Sequence, residues 1–148
     1  MKHMTRKKKD SRELAGYTEF LQSLELSLIG LTESNVKVDR ERYLAEENHS
    51  ISIWWGGKPL KCGRNHFDVR AELTVKVSKP KAQTPFLELK AAYLLHIHCM
   101  KDCPSEYVDR FCNAEVRLMI WPYFREYVTS MCGRMHIPPV FLPLAARD

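Results

Sequence analysis

The stretch Trp121-Pro122-Tyr123-Phe124-Arg125-Glu126-Tyr127-Val128-Thr129-Ser130-Met131 decides how this chain is read, because four aromatic residues fall within seven positions. Apolar residues recur through it at three- and four-residue steps, which predicts a helix with two apolar stripes. One stripe is Val116, Ile120, Tyr123, Tyr127 and Met131, and the other is Leu118, Trp121, Phe124 and Val128. A helix covers only one stripe with its own sheet, so the second predicts a further apolar surface, usually that of another subunit.

The residues around this stretch predict the bounds of the helix. It is expected to run from about Glu115 to Cys132, with Gly133 placed to cap its C-terminus. Pro122 lies inside it, where it removes one backbone donor and favours a kink. After Pro138-Pro139 the chain is expected to run extended across the surface.

Upstream of the helix, alternating apolar residues predict strands. A first strand, long or bulged, is expected between about Tyr17 and Val38, followed by a charged loop over Asp39–Asn48. Ser50–Trp55 is predicted as a second strand that ends at Gly56-Gly57 and Pro59.

Two further strands and a short helix complete the pattern. Phe67–Ser78 alternates strictly between apolar and polar residues, as a half-buried antiparallel strand does. Leu87–Ile97 follows as a fourth strand, but its second face is mixed rather than polar, which again implies a partner surface. Ser105–Cys112 is predicted as a short helix. Because the strands precede the helices, the order indicates an α+β fold.

The C-terminal third resembles the SecB family of export chaperones and the SecB-like chaperones of toxin–antitoxin systems. The resemblance lies in an aromatic-Pro-Tyr-x-Arg-Glu core at residues 121–126, the Ser130-Met131 pair, Arg134 and the prolines at 138, 139 and 143. It implies a four-stranded antiparallel sheet, Greek-key-like, packed with one short and one long C-terminal helix. The chain ends soon after Pro143-Leu144, so the second long helix of the export chaperones is not expected.

The resemblance also implies a function. SecB-like chaperones are cytoplasmic dimers of dimers that work without ATP or any other cofactor, holding unfolded or unassembled clients in apolar grooves. Clients here would be preproteins in export or an antitoxin. The body of this chain is neutral, whereas docking to SecA suits an acidic body. The sequence therefore leaves open whether SecA is a partner. We expect client-binding residues on apolar strand faces, namely Ile51, Ile53, Trp54, Trp55, Phe86 and Leu94. We expect the oligomer interface at Leu118, Trp121, Phe124, Arg125, Glu126 and Val128.

Two features within these sets leave an alternative open. Arg125 and Glu126 are either an interfacial ion pair that fixes subunit register or two surface charges, and the resemblance favours the interface. Trp54 and Trp55 are adjacent on one predicted strand and must face opposite sides of the sheet. One is therefore expected in the core and the other exposed, and the sequence does not say which.

The charge of the chain is concentrated at its start. Of a formal net charge of +5, residues 1–12 supply six basic side chains and one acidic, which leaves a neutral body. We predict a basic, disordered arm over residues 1–15 and a single SecB-like domain over residues 16–148. The simpler interpretation is that the arm is a solubilising tail, and the alternative is that it binds nucleic acid weakly.

Neither a membrane protein nor a disulfide framework is indicated. No apolar run approaches 18 residues, and no apolar segment follows the basic arm as in a secretory signal. Five irregularly spaced cysteines fit reduced cytosolic thiols better than paired ones.

No catalytic or metal site is expected. His96, His98, Cys99 and Cys103 resemble a metal cluster at first, but Cys99 should face the opposite side of a strand from both histidines. Cys112 or Cys132 with His136 lacks a recognisable orienting group or oxyanion hole. Two classes remain: a holdase chaperone, and a nucleic-acid-associated regulator using the basic arm.

Overall fold

The computed structural model describes residues 2–144, with side chains from residue 7 onward. Within that range a four-stranded antiparallel sheet is packed with helices, which confirms the predicted α+β class. The elements are α1 (Lys2–Gln22), β1 (Leu24–Val38), α2 (Arg40–Ala45), β2 (Ser50–Cys62), β3 (His66–Ser78), β4 (Leu87–Cys99), α3 (Ser105–Asn113) and α4 (Glu115–Arg134).

The strands lie in the order β1-β4-β3-β2. Strands β2, β3 and β4 follow one another as antiparallel neighbours, and β1 pairs with β4 at the far edge. The connection from β1 to β2 therefore crosses the sheet, as in a Greek key. Strands β1 and β2 are the two edges, and β3 and β4 form the centre.

The centre of the sheet is sealed on one side by α3 and α4. Apolar residues at alternate positions of β3, from Phe67 to Val77, are almost fully buried, and so are those of β4 from Leu87 to Cys99. Phe111 of α3 packs edge-on against Phe67, with ring centroids 5.6 Å apart. The strict alternation of Phe67–Ser78 therefore predicted both the strand and its buried face correctly.

The start of the chain differs from the prediction. Residues 2–15 are helical rather than disordered, and residue 1 lies outside the described range. Lys, Arg and Glu are good helix formers, and the aromatic side chains of Tyr17 and Phe20 anchor the end of α1 in the core. The strand predicted from Tyr17 consequently begins only at Leu24, and it is bulged as expected.

Two further boundaries were wrong. The predicted loop after β1 contains α2, whose N-terminus is capped by the Asp39 side chain accepting a hydrogen bond from the Arg42 amide at 3.1 Å. Strand β2 does not stop at Gly56-Gly57 but continues to Cys62. Gly57 is needed there, because a Cβ at this position would lie 2.7 Å from the carbonyl oxygen of Cys112 in α3.

Helix α4 ends at Arg134, and its left-handed residue lies three positions after the predicted glycine cap. Gly133 is part of the helix, and it is His136 that adopts the left-handed conformation, with φ of 52°. The amide of Ile137 donates to Cys132 O and that of His136 to Gly133 O, both at 3.2 Å. This is the hydrogen-bond pattern of a Schellman motif, with the buried Ile137 as its apolar contact.

The second apolar stripe of α4 is covered by the chain itself, except for Leu118, which is exposed. Trp121, Phe124 and Val128 are all buried, so they are not available as the predicted oligomer interface. The extended segment 138–143 returns along the helix: Tyr43 Oη donates to Pro138 O at 3.1 Å, and Trp121 Nε1 donates to Pro143 O at 2.9 Å. The sequence pattern correctly demanded a second apolar surface, but this surface is the C-terminal segment of the same chain.

Candidate functional site

Apolar side chains are left uncovered where the helix-bearing side of the sheet reaches its two edges. On β2 these are Ile51, Ile53 and the half-buried Trp55, here called the β2 margin. On β1 they are Leu26, Ile29, Leu31, Val36 and Val38, here called the β1 margin. Both margins continue the buried apolar surface of the central strands outward into solvent.

The strand register places the β2 margin on the helix-bearing side. Ile51 pairs with Val77, Ile53 with Val75 and Trp55 with Leu73, and each of these partners is buried. Cross-strand partners point to the same side of a sheet. Ile51 and Ile53 remain 42% and 39% exposed, because β2 is the outermost strand and nothing described lies beyond it.

Trp55 closes the β2 margin at one end. The Arg117 guanidinium of α4 lies over its indole ring, 5.2 Å from the centroid, in a cation–π contact. Trp55 also packs against the core. The pair therefore forms a firm aromatic end to an otherwise aliphatic surface.

The outer edge of β2 is regular over most of its length. Residues 50–59 pair with β3 without a shift in register, and the first irregularity falls between Pro59 and Lys61. An edge strand presents a row of backbone groups that an additional strand can pair with. The β2 margin thus combines apolar side chains with a straight backbone edge, which is the surface used in β-strand addition.

The β1 margin is the part of the surface that sequence reasoning missed. Leu26, Leu31 and Val38 are exposed on the helix-bearing side, opposite Ile97, Tyr93 and Leu87. The alternation in β1 could have indicated this, but strand order was needed to show that β1 is an edge. Register shifts after Leu26 and Leu31 make this edge irregular, a feature that disfavours strand addition.

The predicted client-binding set is divided between two sides of the sheet. Ile51, Ile53 and Trp55 lie together on the helix-bearing side, whereas Trp54 and Leu94 lie on the opposite, open side. This answers which tryptophan is exposed. Trp54 is, and its ring lies over Gly56, where a Cβ would come within 3.0 Å of it.

The open side of the sheet is mainly polar, although Leu28, Trp54 and Leu94 also lie on it. Arg70 of β3 reaches Glu33 of β1 at 2.8 Å and Glu72 at 2.6 Å, and these contacts raise the pKa of its guanidinium. A shallow cavity of about 540 Å³ lies beside them, lined by hydroxyl, amide and charged groups together with Leu73, Ala91 and Ala92. A surface of this kind offers little to an apolar client.

Phe86 does not contribute to either surface. It is 3% exposed and packs between Tyr43 and His49, with ring centroids 5.7 and 5.2 Å away. The prediction that it contacts clients is corrected, because α2 and the start of β2 cover it.

The predicted interface residues on α4 are likewise dispersed. Leu118 is 59% exposed, Arg125 is half-buried and Glu126 is exposed. Arg125 and Glu126 line a cavity of about 550 Å³ between α4 and the segment 139–142. Among the described side chains the ion pairs do not include either residue.

Two of the cysteines, Cys112 and Cys132, are buried free thiols of low reactivity. Burial raises the pKa of the Cys112 thiol to about 12, so this group is protonated at neutral pH and a poor nucleophile. Burial also raises the pKa of Cys132. Cys99 and Cys103 are joined by a disulfide, which corrects the expectation that all five thiols are reduced. Over the described range, no three His, Cys, Asp or Glu side chains are grouped as metal ligands.

None of the helices in the described part of the chain is both long enough and apolar enough to cross a membrane.

Comparison with known proteins identifies the fold. No protein-family model matches the sequence, and no curated protein matches it. The SecB-like chaperone Rv1957 of Mycobacterium tuberculosis, solved in complex with a ChAD peptide from the HigA1 antitoxin, is similar in structure with a TM-score of 0.71. The alignment covers 86% of this chain and 94% of that one at 17% identity. A protein of unknown function from Streptococcus agalactiae aligns at a TM-score of 0.46 and 6% identity, over 82% of this chain and 97% of that one. The chain has the fold of a SecB-like chaperone.

Proposed function

We propose that this protein is an ATP-independent holdase that binds extended apolar segments of unfolded or unassembled proteins. The observation that carries the proposal is the β2 margin, where Ile51 and Ile53 are exposed beside a regular, unpaired strand edge. The similar SecB-like chaperone was solved with an antitoxin peptide, which supports a peptide client for this fold.

In the proposed mechanism a client segment lies along β2 as an added strand. Its backbone pairs with the free edge of β2, while every second side chain packs onto the β2 margin. Each large apolar client side chain that is fully buried contributes about 1.5–3 kcal/mol. Backbone pairing is independent of sequence, so recognition is broad and depends mainly on the apolar content of the client.

No nucleotide is needed in this scheme. The client leaves when its own folding or assembly buries the segment that the chaperone held, because the same apolar area cannot be buried twice. Clients of this kind include a preprotein awaiting export and an antitoxin awaiting its partner. Of these, the antitoxin class is favoured by the peptide in the similar structure.

We also propose that copies associate through the β1 margin, to form a dimer and then a dimer of dimers. Its five apolar residues form a larger apolar patch than a surface without a partner usually carries. The bulged β1 edge is also less suited than β2 to an added client strand. Clients and subunits would then use opposite edges of one sheet.

A second candidate function rests on α1. Lys7, Lys8, Lys9 and Arg12 are all exposed on this helix, a basic segment that could contact nucleic acid. Such binding would weaken steeply with salt and would be lost on deletion of residues 1–12.

The test is suppression of aggregation. A chemically denatured model enzyme is diluted into buffer with the intact protein, without ATP, and light scattering is followed. We expect scattering to fall as chaperone is added, equally with the full chain and with residues 1–12 deleted. Unchanged scattering at a molar excess of chaperone would reject the holdase, and loss of suppression on deletion of the arm would transfer the activity to α1.

A further inference from the structure

The disulfide between Cys99 and Cys103 lies at a junction of three parts of the fold. Cys99 is the last residue of β4, and Cys103 precedes Pro104, the residue before α3. Between them Met100, Lys101 and Asp102 form an exposed loop. The bond therefore fixes where α3 begins relative to the end of the central strand.

Two backbone hydrogen bonds connect this loop to other elements. The Met100 amide donates to Ser23 O, directly after α1, at 3.0 Å. The Cys99 amide donates to Asn65 O, in the turn between β2 and β3, at 2.7 Å. A change in the conformation of the loop would therefore shift the end of α1.

Helix α1 packs against the first turns of α3, and it also contacts β3 through the Phe20 and Phe67 rings and α4 through the Tyr17–Glu115 hydrogen bond. The Tyr107 ring lies 5.6 Å from that of Tyr17 and 5.5 Å from that of Phe20, measured between centroids. Gly16 fits against Tyr107 so closely that a Cβ there would lie 2.5 Å from the phenol oxygen. The Arg110 guanidinium covers the Tyr17 ring at 4.0 Å. The position of the end of α1 therefore depends in part on the position of α3.

We propose that the Cys99–Cys103 disulfide, here called the clasp, is a redox-responsive link. It holds the start of α3 in the position in which α1 packs against it. A dithiol reductant opens the clasp, after which the start of α3 shifts and α1 loosens from the body. The clasp would link the availability of the basic helix to the thiol redox state around the protein.

The reaction is ordinary thiol–disulfide exchange. Cys99 is fully buried whereas Cys103 is half-buried beside the exposed loop, so a thiolate of the dithiol attacks the Cys103 sulfur. The S–S bond breaks, Cys99 leaves and takes a proton, and a mixed disulfide remains on Cys103. The second thiol of the reductant then attacks this bond and releases Cys103 as a thiol. In sum, two electrons and two protons pass from the dithiol to the protein, and the reductant becomes a disulfide.

Hydrogen exchange read by mass spectrometry tests the proposal on the full chain. Protein equilibrated with oxidised glutathione is compared with protein in dithiothreitol, and amide exchange is measured over residues 17–23 and 100–108. We expect reduction to accelerate exchange in both segments by about tenfold or more, as local opening becomes easier. The amides of residues 73–77, at the far end of β3 from the clasp, should exchange equally slowly in both samples.

Two variants sharpen the result. Cys103→Ser cannot form the bond and should exchange rapidly in both buffers, while Cys62→Ser removes an exposed thiol outside the clasp and should respond as the parent does. If Cys103→Ser does not fold, the comparison of the parent protein in the two buffers decides alone. Alkylation of all five thiols in the oxidised sample, or equal exchange in both buffers, would overturn the proposal.

Discussion

The centre and the edges of the sheet differ in how far their apolar side chains are buried. In β3 and β4 every side chain on the helix-bearing side is buried, and α3, α4 and the C-terminal segment fill the space above them. In β1 and β2 most corresponding positions also carry apolar residues, but these are exposed, as are Leu26, Leu31 and Ile51, or only half-buried. The difference lies in position within the sheet and not in residue type, so it separates what stabilises this protein from what it can bind.

The largest expected effect tests whether the second stripe of α4 belongs to the centre. Phe124 is fully buried, so Phe124→Ala should lower the free energy of unfolding by about 3–5 kcal/mol through lost contacts and a cavity. Leu118→Ala, on the exposed side of the same helix, should change it by less than about 0.5 kcal/mol. Urea denaturation measures both. Equal, small effects of the two substitutions would mean that Phe124 is exposed in the monomer, as the predicted oligomer interface requires.

The next effect contrasts a glycine under a helix with one at the open edge. Gly57→Ala brings a Cβ against the backbone oxygen of Cys112, which cannot move without displacing α3, and should cost about 1–3 kcal/mol. Gly30→Ala in β1 meets no atom within 4 Å and should be close to neutral. A thermal melt of the two variants checks this pair. A neutral Gly57→Ala would mean that α3 does not pack on β2 as closely as described.

The smallest expected effect concerns the end of α4. The sign of the change in the free energy of unfolding shows whether Gly133 is a helical residue or a left-handed cap. Gly133 is helical, without positive φ, and its Cβ position is open, so Gly133→Ala should raise the free energy of unfolding by about 0.5–1 kcal/mol. The same substitution would destabilise the protein by a similar amount if Gly133 were the left-handed cap predicted from sequence. Denaturation midpoints of Gly133→Ala and the parent chain distinguish the two.

Periodicity predicted the centre well because burial there follows directly from local sequence. Strict alternation predicted the bounds of β3 to within one residue. Three- and four-residue spacing predicted the bounds of α3 and α4 to within two. The motif at residues 121–126 indicated the SecB-like fold, which the structural similarity confirms.

The margins could not be predicted in the same way, because exposure depends on which strands are neighbours. The alternation of Leu24, Leu26 and Leu28 marks a strand but not an edge. Phe86 resembled a surface residue until α2 and His49 were placed against it. The burial of Trp121 required knowing that the C-terminal segment folds back, and only its prolines suggested an extended path.

Titration of a labelled, extended apolar peptide tests most directly whether the β2 margin binds clients. The double variant Ile51→Glu/Ile53→Glu places two carboxylates on the margin, and Leu14→Glu is a matched control on α1, where Leu14 is 56% exposed. We predict that the double variant binds the peptide at least about tenfold more weakly, a loss of about 1.4 kcal/mol or more, while Leu14→Glu binds as the parent does. Equal affinity of all three proteins would contradict the account, because it would place the client somewhere other than the exposed edge of β2.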